Sequence, residues 1–376
     1  MRKLIIIFFF IILIFSINSC KENEDLYDVE SSTEAFNNIK LGYNLGMSFS
    51  ACIKDQEYEM DTIEKVKTYE LKWCNTITTK DIFLTLKNKG FNALRIAIDI
   101  TNHLNEDDII DHYWLERIKE VVSWCLDLKI YVILSLVETY GLKLNNQDKD
   151  IFINSREIQR FIQFWGILAD NFSSYNGYLL FEPFNELRNE NGDWGTDDKK
   201  IYDNLLYLYQ LFIKTIRDNK EYNKKRNLVL PTYAASSNKD ILKFTKKPID
   251  YYQNHLIFDV HYYNPIRFTF NEINLGSTNF IDTWGTKEDI TELYLDMNNI
   301  RINLAKRLNV PVIIGECGAV RRTDINERIK YHKNLKNFAD SNNLKLFIFD
   351  DSWDFLYLNR ETLEFVDEEI IDLLLK

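Results

Sequence analysis

Apolar runs of strand length recur along the chain. They are LGYNLGM (41–47), FNALRIAID (91–99), IYVILSLV (130–137), YLLFEPFNE (178–186), NLVLPTYA (227–234), LIFDVHYY (256–263), VPVIIGECG (310–318) and LKLFIFDD (344–351). The runs are continuous rather than alternating, as in strands covered on both faces. Helical patterns separate them. Thr78–Lys89 opens on a threonine cap and stops at Gly90, and Asp111–Lys129 places Leu115, Ile118, Val121, Val122 and Cys125 on one face. Ser155–Phe172, Asp198–Asn219, Lys287–Leu308 and Asp324–Asn342 repeat the pattern; Ser236–Lys246 is shorter, and Glu361–Leu375 closes the chain. Eight strands, each followed by a helix with no break in composition, predict an α/β fold: one (β/α)₈ barrel over residues 36–376. A doubly wound open sheet fits less well, because no GxGxxG turn follows the first strand.

The first twenty residues follow a different pattern. Arg2 and Lys3 precede an apolar stretch from Leu4 to Ile17, broken only by Ser16. The stretch is too short to span a bilayer but suits the core of a signal peptide. Its small and polar end, followed by Cys20, resembles a bacterial lipobox. The expectation is a signal peptide over 1–19, lipid on Cys20, and an acidic tether over 20–35. Ordinary secretion with cleavage nearby is the alternative. Acidic residues just after the cysteine resemble the surface-export signal of Bacteroidetes-type lipoproteins. The expected location is therefore the outer membrane, facing outward, with a periplasmic or secreted protein as the alternative.

Composition narrows the function. The 376 residues are 45% hydrophobic and 14% aromatic, enough for a large core. A net charge of −11 argues against nucleic acid as a partner. Five scattered histidines and five cysteines without a CxxC spacing offer little for a metal site, so neither metal nor cofactor is expected. Cys52 and Cys74 fall in loops that could converge in a disulfide; unpaired thiols at Cys52, Cys74, Cys125 and Cys317 are the alternative. The chain is expected to act as a monomer.

In such barrels the active site lies at the C-terminal strand ends, and these ends are unusually polar here. They carry Asn44, Arg95 and Asp99, Glu138, Asn185 and Glu186, Tyr233, His261 and Tyr263, Glu316, and Asp350 and Asp351. An ionisable group in a strand of Val, Ile, Leu and Phe is costly unless it is paired or used. Glu186 and Glu316 come from strands roughly opposite each other, and two carboxylates facing one cavity suit glycosidic bond cleavage.

These residues stand in segments that resemble glycoside hydrolase family 5, the cellulase-type enzymes. LGYNLGMSFSA is similar to the family's opening Gly-x-Asn-Leu-Gly segment. KWCNTITTKDIFLTLKNKGFNALRIAIDITNHL is similar to its Trp-x-Asn to Arg-Ile block. FEPFNELR carries the Asn-Glu of the acid/base strand, HYYNP the His-x-Tyr strand, and VPVIIGECGA the nucleophile strand. The resemblance runs from about Leu41 to Arg360. It implies a retaining endo-β-1,4-glucanase with Glu186 as acid/base and Glu316 as nucleophile. Arg95 and Tyr263 would bond Glu316, Asn185 would bind the sugar 2-hydroxyl, and His261 would tune the acid. Asn44 belongs to the same substrate-binding set.

The chain departs from the family at two strand ends. Val137 and Glu138 stand where the third strand usually ends in His-His, so Glu138 is the candidate substitute partner for the sugar. Phe349 stands where the eighth strand usually has Trp. Trp73, Trp194, Trp284 and Trp353 fall in loops, where rings can stack on sugar faces; buried loop anchors are the alternative. Trp114, Trp124 and Trp165 fall on helical patterns and read as core. The substrate is expected to be a β-1,4-glucan such as cellulose, xyloglucan or mixed-linkage glucan, with β-mannan as the rival. The departures also keep open a catalytically impaired glycan-binding protein on the cell surface.

Overall fold

The computed structural model describes residues 27–52, 62–105, 107–137, 141–270, 280–321 and 324–376. Eight parallel strands close into a barrel in chain order. They are β1 (Gly42–Leu45), β2 (Ala93–Ile98), β3 (Tyr131–Leu136), β4 (Leu179–Glu182), β5 (Leu228–Ser236), β6 (Leu256–Tyr262), β7 (Val312–Cys317) and β8 (Lys345–Asp350). β1 pairs β8 as well as β2, which completes the ring. All eight are buried along nearly their whole length, the environment that their apolar runs anticipate.

The connecting helices start where their caps predict. Asp111 accepts from the amides of Tyr113 and Trp114 and opens the helix His112–Asp127. Ser155 caps Arg156–Phe172, and Asp198 caps Lys199–Arg217. Gly90, at φ +125, ends the helix Lys80–Lys89 in a conformation that L side chains rarely adopt. The pattern over 287–308 divides into an α-helix, Lys287–Ile300, and a π-helical segment, Arg301–Lys306.

Two boundaries differ from the sequence reading. The helix Ser32–Asn38 is opened by a capping box between Ser31 and Glu34. Its Ala35 and Phe36, with Ile39 beyond its end, plug the barrel floor against Ala93, Tyr131, Ile133, Leu180, Val229, Ile257, Ile313 and Phe347. The ordered domain therefore reaches upstream of residue 36. Gly42 makes room in this plug, since a Cβ there would fall 2.0 Å from the Phe347 ring. At the other end the last helix is Glu368–Leu375, because a small hairpin of Leu358–Asn359 and Glu364–Phe365 takes up the stretch before it.

Cys74, Cys125 and Cys317 are buried free thiols. Cys74 lies 3.5 Å from the Gly46 carbonyl and 3.6 Å from Ser48 Oγ, so the candidate Cys52–Cys74 bridge is not formed.

Candidate active site

A cleft of about 1370 Å³ opens over the C-terminal strand ends, with Glu186, Glu316, His261 and Tyr263 on its walls. Oxygens of the two glutamates and a ring nitrogen of His261 all lie within 4.8 Å of one another. Glu186 stands beyond the regular part of β4, tied down by the Asn185 amide, which donates to the Leu136 carbonyl at 3.0 Å. Glu316 is inside β7, one residue past Gly315.

Arg95 organises the floor. Its side chain is 1% exposed and has five partners, on β1, β3, β7 and β4 with its C-terminal end. Nη1 donates to Glu316 Oε1 at 2.8 Å and to Asn44 Oδ1 at 3.2 Å. Nη2 donates to Asn185 Oδ1 at 2.7 Å and to Ser135 Oγ at 3.2 Å. Nε and Nη2 together grip the fully buried Glu182 carboxylate. Burial opposes the charge of Arg95, but Glu182, Glu316 and Asp259 outweigh it and raise its pKa further. Because arginine only donates, Asn185 must turn Oδ1 toward it, which leaves Nδ2–H to face a ligand.

The second carboxylate oxygen of Glu316 accepts from Tyr263 Oη at 2.9 Å. Burial, and then the charges of Glu316 and Glu186, push the Tyr263 hydroxyl well above its usual pKa, so it remains a donor. Phe349, Phe270 and Phe355 pack around the Tyr263 ring and hold it. His261 places Nδ1 2.7 Å from Glu186 Oε1 and 3.5 Å from Glu316 Oε2. Burial disfavours the protonated ring, yet Glu316, Asp259 and Glu186 together raise its pKa well above the ordinary value. The three donor groups are spaced for a cation to bridge, and the protonated imidazole supplies that positive charge itself.

Glu186, Glu316, Arg95, Asn185, His261 and Tyr263 therefore converge. Phe349 lines the cleft as an apolar wall. Asn44 also lines it, but its amide is directed into the protein: Nδ2 donates to the Gly315 carbonyl at 2.7 Å, and Oδ1 braces Arg95. Glu138 and Cys20 lie outside the described residues.

The tryptophans divide. Trp73 lines the cleft from the β1 side and Trp194 from the β4 side. Trp284 does not: it is 3% exposed and packs edge-on against Tyr331 at 5.4 Å, a loop anchor rather than a sugar platform. Trp353 is also off the cleft wall, its Nε1 donating to the Trp73 carbonyl at 2.7 Å, so it braces the neighbouring loop. Asp99 and Asp350 bond backbone groups of their own loops, and the Tyr233 hydroxyl bonds the backbone of Asn189 and Asp193 in the loop after β4. Glu182 and Asp259 belong to the site's foundation although they were not among the expected residues. Their signal is an acidic residue inside a wholly buried strand.

The glycosyl hydrolase family 5 cellulase model matches residues 54–354. The chain belongs to glycosyl hydrolase family 5. It is 27% identical over 357 residues to endoglucanase A of Clostridium longisporum, covering 93% of this chain and 66% of that one. It is 27% identical over 314 residues to a xyloglucan-specific endo-β-1,4-glucanase of Bacteroides ovatus, covering 80% of this chain and 59% of that one. Among solved structures, a broad-specificity endoglucanase from Clostridium longisporum superposes with a TM-score of 0.81 at 26% identity, covering 93% of this chain and 98% of that one.

Proposed function

We propose that this family 5 member is a retaining, endo-acting hydrolase of β-1,4-glucan-type polysaccharides, with Glu186 as acid/base and Glu316 as nucleophile. The carrying observation is the short separation of the two carboxylates, whose nearest oxygens lie within 4.8 Å. Retaining enzymes hold the two carboxyl groups about 5–5.5 Å apart and inverting enzymes about 6.5–9.5 Å apart to admit a water, and facing oxygens this close favour the shorter class.

The geometry supports each step. Arg95 and Tyr263 each donate to one oxygen of Glu316 and fix its orientation toward the sugar. Glu316 attacks the anomeric carbon while Glu186 protonates the departing glycosidic oxygen. Water, deprotonated by Glu186, then releases the sugar from Glu316. Asn185, through Nδ2–H, binds the 2-hydroxyl, a contact that strengthens as the ring flattens. The cleft continues past the pair toward Trp73 and Trp194, which suits binding within a chain rather than at its end. The relatives named for endoglucanase and xyloglucan-specific activity support the glucan assignment. A pure glycan binder would not need the complete set of bonds to Glu316. Reducing-sugar release from cellulose, xyloglucan, mixed-linkage glucan and mannan tests the substrate, with faster release from mannan overturning the glucan assignment. Proton NMR of the first-formed anomer tests retention.

We also propose that Cys20 is lipidated and anchors the barrel to the outer membrane. The support is the lipobox-like stretch ending in cysteine and the acidic residues that follow it. No helix among the described residues is long and apolar enough to cross a membrane. Cys20→Ala should move the protein to the soluble fraction with activity unchanged; retention in the membrane would overturn the assignment.

A further inference from the structure

The carboxylate of Asp259 lies behind His261, on the side of the ring away from Glu186. Asp259 is fully buried in β6, two residues before His261 and therefore on the same side of the strand. Its Oδ1 accepts from the Gly315 amide at 2.7 Å. Its Oδ2 lies 3.4 Å from His261 Nε2, an ion-pair distance rather than an aligned hydrogen bond, and both of these buried atoms are without a hydrogen-bond partner among the described residues. Leaving both unsatisfied is costly, and a small turn of the ring that aims an Nε2–H at the carboxylate would satisfy both at once. The site has been cleared for this carboxylate. A Cβ on Gly315 would fall 2.3 Å from Asp259 Oδ1, so only glycine fits at that point of β7.

We propose that Asp259 is a positioning residue for the acid/base: it holds the His261 ring with Nε2 protonated, so that Nδ1 is the one ring atom that exchanges a proton with Glu186. The proposal rests on the reading of Glu186 as acid/base. Nδ1 and Glu186 Oε1, 2.7 Å apart, then share one proton. When the glycosidic bond breaks, that proton leaves through Glu186 to the departing oxygen, and His261 remains neutral with Nε2–H on Asp259. When water attacks the intermediate, its proton returns to Glu186 and is shared with Nδ1 again. No proton is gained or lost over the cycle.

Several other charges bear on this pair. Glu186 and Glu316 face the ring beside Tyr263. Arg95 and Glu182 lie close enough beneath Asp259 to feel its charge, as do Tyr209 and Cys317. Of these groups, Asp259 is the one set against Nε2.

Asp259→Asn isolates the effect, because the amide oxygen can still accept from Gly315 while its Nδ2–H faces Nε2 as a donor. With ¹⁵N-histidine labelling, only five histidines contribute signals, and a His261→Asn spectrum assigns the relevant one. In the wild type, His261 Nε2 should remain protonated from about pH 5 to about pH 8, across the range where free imidazole titrates. In Asp259→Asn, Nε2 should lose its proton within that range. The basic limb of kcat/KM should move down by about 1–3 pH units, the effect of removing one nearby opposite charge, with KM little changed. A wild-type Nε2 that is unprotonated near pH 6 overturns the proposal whether or not the variant folds. So does a variant with the wild-type spectrum and pH profile. The spectrum is read without turnover, so it stands apart from the acid/base assignment, which fails separately if Glu186→Gln retains turnover.

Discussion

Glu182 grips Arg95 through two oxygens at the centre of the barrel, and this buried pair is what aims the remaining guanidinium N–H groups at Glu316 and Asn185. The cation is thereby neutralised by a group that never meets substrate. Its planar fork becomes a template that sets one donor on the nucleophile and orients the neighbouring amide.

Removing Glu182 leaves a buried guanidinium short of its main counter-charge. Glu182→Ala should cost about 3–5 kcal/mol of stability, read as a lower denaturant midpoint. Arg95→Lys should keep the charge but lose the fork, so kcat should fall while the protein remains folded.

Tyr263→Phe removes one hydrogen bond to Glu316 and leaves the ring packed against Phe270, Phe349 and Phe355. A hydrogen bond to a charged group contributes about 1.5–3 kcal/mol. The expected result is a fall in kcat of roughly 10- to 100-fold in a protein that remains folded.

Trp73 and Trp194 line the cleft, whereas Trp284 is a buried anchor. Trp194→Ala should raise KM for polymeric glucan by roughly 2- to 10-fold, the scale of one aromatic contact. A short chromogenic substrate should be affected less. Trp284→Ala should instead lower stability by about 3–5 kcal/mol, as for other buried aromatics, with KM unchanged under conditions where it is folded.

Acid should destabilise the barrel through His332. Burial, and then the nearby Arg328 charge, lower its pKa to about 3. Its Nδ1–H donates to the Arg328 carbonyl at 2.7 Å, and its Nε2 accepts from Tyr357 Oη at 2.7 Å, a neutral ring with both nitrogens in use. The unfolded chain protonates this histidine near its ordinary 6.5 and the folded chain does not, so stability falls as pH drops from about 6.5 toward 3. His255, lowered to about 4 mainly by burial, adds to the slope. Urea midpoints at successive pH values should show the decline, and His332→Gln should flatten it.

Much of the fold and site was legible because a buried strand leaves few reasons for an ionisable side chain. Glu186, Glu316 and Arg95 stood out against apolar runs that predict coverage on both faces. Glu182 and Asp259 obey the same logic but lie deeper, inside the runs rather than at their ends, where the pattern of polar strand ends does not reach. Asp259 shares the parity of His261, and that alternation was the available signal. Trp73 and Trp284 could not be separated, since both follow strands; only the packing of Tyr331 against one ring decides. The helix at 32–38 was hidden by its acidic, polar neighbours, although Ser31 and Glu34 spell its capping box.

The most direct test is to trap the covalent intermediate that a retaining mechanism requires. The protein should be incubated with an activated 2-deoxy-2-fluoro-β-cellobioside, digested, and its peptides measured by mass spectrometry. The account predicts one added glycosyl group, on the peptide containing Glu316, with Glu316→Ala unlabelled. A label on any other residue, or rapid turnover that yields the inverted anomer without labelling, would contradict it.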